Sequence, residues 1–327
     1  MTVTLNQSSS PRIEGLDLAR AIALLGMIVV HFDLVVAGGG TSPEWLATLT
    51  GALQGRAAAT FVVLAGIGGS LGSRRARESG DPALRRRSRV ALLKRGLFLM
   101  AVGCLFLPVW PADILHSYGL WLSCGALLLF APAGVLVVAT LASIAGGSAF
   151  LLTGHFFDHW NLADLSYRGL WTPVGFARNL FLDGWNPFFP WFGLYTLGLL
   201  LGRLDLRDRS VRRRLFFAGV VAAMATGAAS AMWADAPTSV PRSGHLLMTS
   251  ATPPTPAFVL YAGGLALAVI TTSIAVAERW ARAVAPLVAA GQLALTLYMA
   301  HVLIGLGVLE SMGYLGGQSL PFAVGAA

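Results

Sequence analysis

An all-α, polytopic transmembrane helix bundle is the fold this sequence predicts, and three observations predict it. Of its 327 residues, 56% are hydrophobic and only 12% charged. An average soluble domain carries about twice that charged share, so the chain cannot cover a water-facing surface. The apolar residues fall in runs close to the ~20 residues a helix needs to cross a bilayer. The 23 basic residues, all Arg but one, gather in a few clusters between those runs, as they do in loops held on the positive side of a membrane. A soluble enzyme, a disordered protein and a nucleic-acid-binding module are excluded together. The net charge of +8 serves topology, and no nucleic acid is expected as a partner.

The elements follow in order. Residues 1–11 are polar and read as a disordered cytoplasmic tail, and residues 12–327 as one transmembrane domain. The first apolar run lacks a small-residue cleavage site, so it reads as an uncleaved span over Ile13–Gly38. A Gly-rich loop with Pro43 leads to a second span over Ala57–Leu71. The stretch Ser73–Arg95 holds eight arginines and Lys94, which fixes it, and the N-terminus, on the cytoplasmic side. Spans three and four are Gly96–Val109 and Ile114–Phe130, divided by Pro111. Span five is Val135–Thr153. The segment Gly154–Asn186, with Trp160, Trp171 and Trp185, is expected along the membrane surface, where Trp is favoured. Span six, Pro187–Gly202, ends at the basic run Arg203–Arg214. Span seven is Leu215–Trp233, and Asp235–Pro256 is an outer loop containing His245. Span eight is Ala257–Ala277 and span nine Pro286–Leu309. The apolar tail from Tyr314 reads as the start of a tenth. Every strong basic cluster then lies on one side.

Ionisable groups inside spans are costly and are functional candidates. His31 lies ~27 Å from the inner end of span one and His301 ~22 Å from the inner end of span nine, at ~1.5 Å per residue. His116 lies near the outer end of span four. Three histidines thus share one depth, either as packing residues bonded to carbonyls or as a site. Asp17, Arg20, Leu24, Met27 and His31 recur at helical steps on one face, which runs from an inner ion pair to an outer imidazole. Gly291, Ala294, Tyr298, His301 and Gly305 share another face, its small residues suited to close helix approach. A neutral imidazole can act as general base near neutral pH. The two cysteines, Cys104 and Cys124, lie in apolar runs without metal-ligand spacing, and no metal is expected.

Five segments then carry a resemblance. Arg12-Ile-Glu-Gly-Leu-Asp17-Leu-Ala-Arg20 running into Gly26-Met-Ile-Val-Val-His31-Phe is the first. Phe61-Val-Val-Leu-Ala-Gly66 and Asp113-Ile-Leu-His116-Ser-Tyr-Gly119 follow. The last two are Asn186-Pro-Phe-Phe-Pro190-Trp191-Phe-Gly through Leu201-Gly-Arg203, and Gly291-Gln-Leu-Ala-Leu-Thr-Leu-Tyr298-Met-Ala-His301. In this order the chain resembles the heparan-α-glucosaminide N-acetyltransferase catalytic-domain family of transmembrane acyltransferases. A related family of uncharacterised bacterial membrane proteins shares the pattern.

The resemblance implies transfer of an acyl group, usually acetyl, from cytoplasmic acyl-CoA to an acceptor across the membrane, often a sugar or glycan. It implies acetyl-CoA as co-substrate, a bacterial plasma membrane as location, and His31 as the catalytic first-span histidine; His301 and His116 join it as catalytic candidates by their shared depth. Two departures stand out. Ala21 replaces a preferred Gly, and the loop Gly38–Thr50 has no His where some members place one. The second departure favours direct transfer, with His31 as base, over an acetyl-histidine intermediate. CoA phosphates need cations; Arg20 with its partner Asp17, Arg203 and the cluster Arg74–Arg95 are placed for them, although the cluster also serves topology. An oxyanion donor could come from Tyr298, Gln292, Trp191 or Asn186. A homodimer is left open. A transporter or flippase using the same histidines as a proton relay is the alternative.

Overall fold

The computed structural model describes residues 12–37, 41–234, 244 and 246–327. The polar tail 1–11, His245 and much of the loop after Trp233 lie outside the described residues. Among those described, the regular elements are helices apart from a hairpin of two-residue strands, Trp160–Asn161 with Ser166–Tyr167, and an isolated bridge at Ala251 and Pro254.

The helices are α1 (Glu14–Phe32), α2 (Glu44–Leu53), α3 (Arg56–Gly72), α4 (Arg74–Ser79), α5 (Pro82–Phe106), α6 (Leu115–Leu128) and α7 (Ala133–Thr153). Beyond the hairpin come α8 (Pro173–Arg178), α9 (Phe188–Leu201), α10 (Arg209–Ala234), α11 (Pro256–Arg279) and α12 (Ala281–Gln292). The chain ends with α13 (Ala294–Ala300), α14 (Gly307–Ser311) and α15 (Leu320–Ala326). Three π-helical turns interrupt it, at Asp33–Ala37, Asn179–Asp183 and His301–Leu306.

Six stretches among the described residues are long and apolar enough to cross a bilayer: Glu14–Ala37, Glu44–Gly72, Ala133–Thr153, Arg209–Trp233, Pro256–Arg279 and Ala294–Ser311. The other three expected spans correspond to α5, α6 and α9. The first of these carries arginines along its N-terminal half, and the other two have 14 residues each.

Several elements differ from the expectation. The third helix does not begin at Gly96. It begins at Pro82, because Pro at the first helical position and Asp81 as N-cap, accepting from the Ala83 N–H at 2.8 Å, start a helix through the arginines, which are good helix formers. The Gly-rich loop gives way to α2, started at Pro43. The segment after Thr153 folds into a hairpin, a short helix and a π turn. Span nine is two helices, broken at Leu293 where the backbone leaves helical values. The apolar tail ends in the helix α15. It turns back along the end of α1, with Gly316 and Gln318 N–H donating to the carbonyls of Val35 and Val36 at 2.9 and 3.1 Å.

The core is aromatic. Trp121, Trp191, Tyr195 and Phe258 are among the largest fully buried side chains, and the Trp121 and Trp191 rings stack at 6.1 Å. At its centre α1 packs against α3, α11 and α12. The approach of α1 and α12 depends on Gly291, since a Cβ there would fall 1.9 Å from the Asp17 carbonyl oxygen. Small residues at helix contacts let backbones come this close. Gly291→Val is therefore expected to force α12 off α1 and to cost about 1–3 kcal/mol or more. A clear fall in melting temperature in detergent checks this, and an unchanged melting curve would contradict it.

Candidate functional site

Helix α1 and the turn after α13 bring two histidines together. His31 Nδ1 and His301 Nε2 are 2.8 Å apart, and their rings stack at 5.1 Å. Each histidine adjoins a π turn, Asp33–Ala37 after His31 and His301–Leu306 at His301 itself. Such single-turn insertions widen a helix and recur at functional sites.

The protons of the pair follow from its neighbours. His301 Nδ1 lies 3.3 Å from the Leu297 carbonyl, which can only accept, so in the neutral ring Nδ1 carries the proton and Nε2 the lone pair. His31 Nδ1–H must then donate to His301 Nε2. Among the described residues that leaves His31 Nε2 with an unspent lone pair, and His31 lines a cavity of about 490 Å³, within the range of small-molecule sites.

A second layer holds the pair. The Trp110 ring lies 4.7 Å from His31 and the Tyr298 ring 5.3 Å from His301. Tyr298 donates its hydroxyl proton to Asp113 Oδ1 at 3.1 Å. Asp113 Oδ2 accepts from the His116 backbone N–H at 3.2 Å and faces His116 Nδ1 at 3.3 Å. Asp113 is wholly buried, so these donors compensate a carboxylate taken out of water. His116 thus turns toward Asp113 rather than toward the cavity. Depth alone grouped it with His31 and His301; helix rotation separates it from them.

Of the four oxyanion-donor candidates, Tyr298, Trp191 and Asn186 line the same cavity as His31. Tyr298 has already spent its proton on Asp113. The Trp191 indole is 1% exposed, and its N–H has no hydrogen-bond partner among the described residues. Gln292 is exposed at the end of α12, before the break, and is not in the lining.

The inner candidates form a separate group. Asp17 is buried and paired with both Arg12 and Arg20; Arg12 Nε lies 2.6 Å from Oδ2. The Arg20 guanidinium reaches toward Gly68 of α3. Arg203 donates to the Ala131 carbonyl at 2.7 Å and to the Leu129 carbonyl at 3.5 Å, closing the C-terminal end of α6.

Asp113, Trp110 and Arg56 were not singled out by sequence reasoning. Asp113 stands three residues before His116, at helix-start spacing, and that was the available signal. Arg56 begins α3. It is the one charged side chain in the cavity lining among the described residues, and it donates to the carbonyls of Gln54 and Thr249, both at 2.8 Å. Among the described residues no group of three or more His, Cys, Asp or Glu could hold a metal ion.

The cavity rim is fixed by a knot around Asp183, which is fully buried. Tyr167 donates to its Oδ1, Arg178 Nε to its Oδ2 and Trp160 Nε1 to its carbonyl, each at 2.6 Å. Trp160 also packs on Trp185 at 5.5 Å, and Trp185 and Asn186 line the cavity.

The family described as heparan-alpha-glucosaminide N-acetyltransferase, catalytic, matches residues 12–231, well over half of the chain. A second family, described as a protein of unknown function (DUF418), matches residues 202–326. No curated protein matches. His31, Asp113 and Trp191 fall in the first match, Tyr298 and His301 in the second.

The knot has a pH signature. Burial, and then the Asp183 carboxylate that accepts its hydrogen bond, raise the Tyr167 phenol above its ordinary value of 10.0. Unfolded, the phenol releases its proton from about pH 10 upward; folded, it keeps it. The stability it contributes is whole below that pH and falls as pH rises toward the folded value. Tyr167→Phe should be less stable at neutral pH by about 1–3 kcal/mol, yet lose less than the parent above about pH 10. Melting curves in detergent across that range check this, and parallel alkaline slopes would contradict it.

Proposed function

This chain belongs to the heparan-alpha-glucosaminide N-acetyltransferase catalytic family and is a membrane acetyltransferase by that kinship, and from this premise we propose what it transfers and how. The donor is acetyl-CoA, bound from the cytoplasmic, arginine-rich end. The acceptor is a hydroxyl or amine of a sugar or glycan entering from the opposite side. The observation that carries the reading is the His31–His301 pair at the wall of a cavity, with His31 Nε2 unspent.

In the proposed step the acceptor's oxygen or nitrogen attacks the thioester carbonyl carbon, and His31 Nε2 takes its proton. The new imidazolium keeps its Nδ1–H on His301 Nε2, a bond that becomes charge-assisted and stronger as the charge develops. The carbonyl oxygen gains negative charge and is met by the free Trp191 N–H, with the Asn186 amide beside it. Collapse breaks the carbon–sulfur bond. The thiolate leaves with the proton returned by His31, so free CoA and the acetylated acceptor are the products. No acetyl-histidine is formed.

Arg20 and His31 are eleven residues apart on one helix, about 16 Å along its axis. Arg20, steadied by Asp17, is the proposed contact for CoA phosphate, and the helix leads from there to the base. Asp17 and Arg203 act as positioning residues, one holding Arg20 and the other the end of α6. On this reading the N-terminus is cytoplasmic, residues 12–327 work as one domain, and the chain resides in a bacterial plasma membrane.

Two variants separate the roles in one experiment on detergent-purified protein, with acetyl-CoA as donor and a simple amino sugar as probe acceptor. His31→Ala should lower kcat about a hundredfold to ten-thousandfold and still bind acetyl-CoA by calorimetry. Trp191→Phe, which keeps the ring and removes the N–H, should lower kcat on the order of a hundredfold with little change in KM for acetyl-CoA. Normal turnover by His31→Ala would remove the proposed base. Absence of acetyl-CoA binding by folded parent protein would favour the transporter reading.

A further inference from the structure

The second large recess lies away from the histidines, between α10 and α11 at the arginine-rich end. These helices touch closely in mid-length, where a Cβ on Gly219 would fall 2.5 Å from the Gly264 carbonyl oxygen. Toward the arginines, Phe216 and Phe217 line a groove of about 670 Å³ between them. Its deep end is closed by Arg212, which is buried and already engaged with Glu278 Oε2 at 2.7 Å and the Leu206 and Arg207 carbonyls at 3.0 and 2.8 Å. Arg209, Arg213 and Arg279 line the same groove without a carboxylate partner among the described residues.

The surroundings identify the occupant. Both helices are long and apolar enough to cross a bilayer, and only 11% of the most apolar stretch of α10 is buried inside the protein. The groove therefore opens toward lipid at the depth where spans meet headgroups. Trp280, 57% exposed, stands at its rim, as interfacial Trp does. The recess is divided like a lipid, with guanidiniums at one end and the exposed faces of Phe217 and Ala275 along the other. Four arginines against one glutamate leave it strongly cationic. A soluble phosphate compound would match the charges and leave the apolar wall unused. A zwitterionic lipid would match the wall and leave the charge uncompensated.

We propose that this groove binds an anionic phospholipid, with its phosphate headgroup on Arg209, Arg213 and Arg279 and an acyl chain along Phe217 and Ala275. Basic recesses between spans at this face suit such headgroups. The site is separate from the acetyl-transfer cavity and stands whether or not that reaction is the right one.

Native mass spectrometry of the detergent-purified full chain tests it, with phosphatidylglycerol and phosphatidylcholine offered in equal amounts. The parent protein should retain phosphatidylglycerol selectively. Arg209→Gln/Arg213→Gln should weaken that retention about tenfold or more. Ala275→Trp, which fills the apolar wall and leaves every charge in place, should weaken it as well. Arg86→Gln/Arg87→Gln, which removes two exposed arginines elsewhere on the same face, should leave it unchanged. Equal retention of both lipids, retention undiminished in either groove variant, or an equal loss in the control variant would overturn the proposal. So would displacement of the lipid by inorganic phosphate or acetyl-CoA at matched concentration.

Discussion

One hydrogen bond between two imidazoles, 2.8 Å long and bridging 270 residues of sequence, sets the geometry on which the rest of the site depends. It joins the first long helix to the last, and it can form only if those helices hold one register along the bundle. That register is set at the other end of α1. There Gly291 lets α12 approach the Asp17 backbone, while the Asp17 carboxylate is compensated by Arg12 and Arg20. A shift of one residue at this inner contact would rotate α1 by about 100° and carry His31 away from His301.

The surrounding layer fixes which nitrogen is free. Leu297 claims one proton of the pair, His301 the next, and Tyr298 is held by Asp113 beneath them. In a dry interior each of these bonds is stronger than in water, and a missing partner is correspondingly costly. Among the described residues the indole N–H of Trp191 is one of several buried donors without a partner, with those of Trp110 and Trp121. Buried donors without acceptors are rare in folded proteins, and that of Trp191 lines the cavity that His31 lines. A ligand carbonyl is the natural complement to it.

The sequence made much of this legible, for identifiable reasons. Counting apolar runs and basic clusters gave the all-helical class, and counting residues from the inner ends put His31 and His301 at one depth. Depth is a one-dimensional quantity that a sequence carries well. Rotation about the helix axis is not, since it depends on caps, breaks and insertions. That is why His116 shares the depth but faces Asp113, and why Gln292 shares a helix-forming segment with Tyr298 yet is exposed below the Leu293 break. The π turns, which change the helical phase beside each histidine, have no signature in composition. Asp113 and Arg56 were hidden for a different reason: beside its local partners each has one that only tertiary packing brings near, the Tyr298 hydroxyl for Asp113 and the Thr249 carbonyl for Arg56. The helix through the arginines after Asp81 was also masked, because charge clusters read as loop when hydropathy alone is followed.

The central claim is that His31 and His301 work as one unit, base and orienter. A double-mutant cycle on acetyl transfer, with His31→Ala, His301→Ala and the pair together, tests it most directly. If His301 acts only through His31, the double variant should be no slower than His31→Ala alone, because a base already absent cannot be misoriented. Losses that multiply independently would contradict the account and give His301 a role of its own.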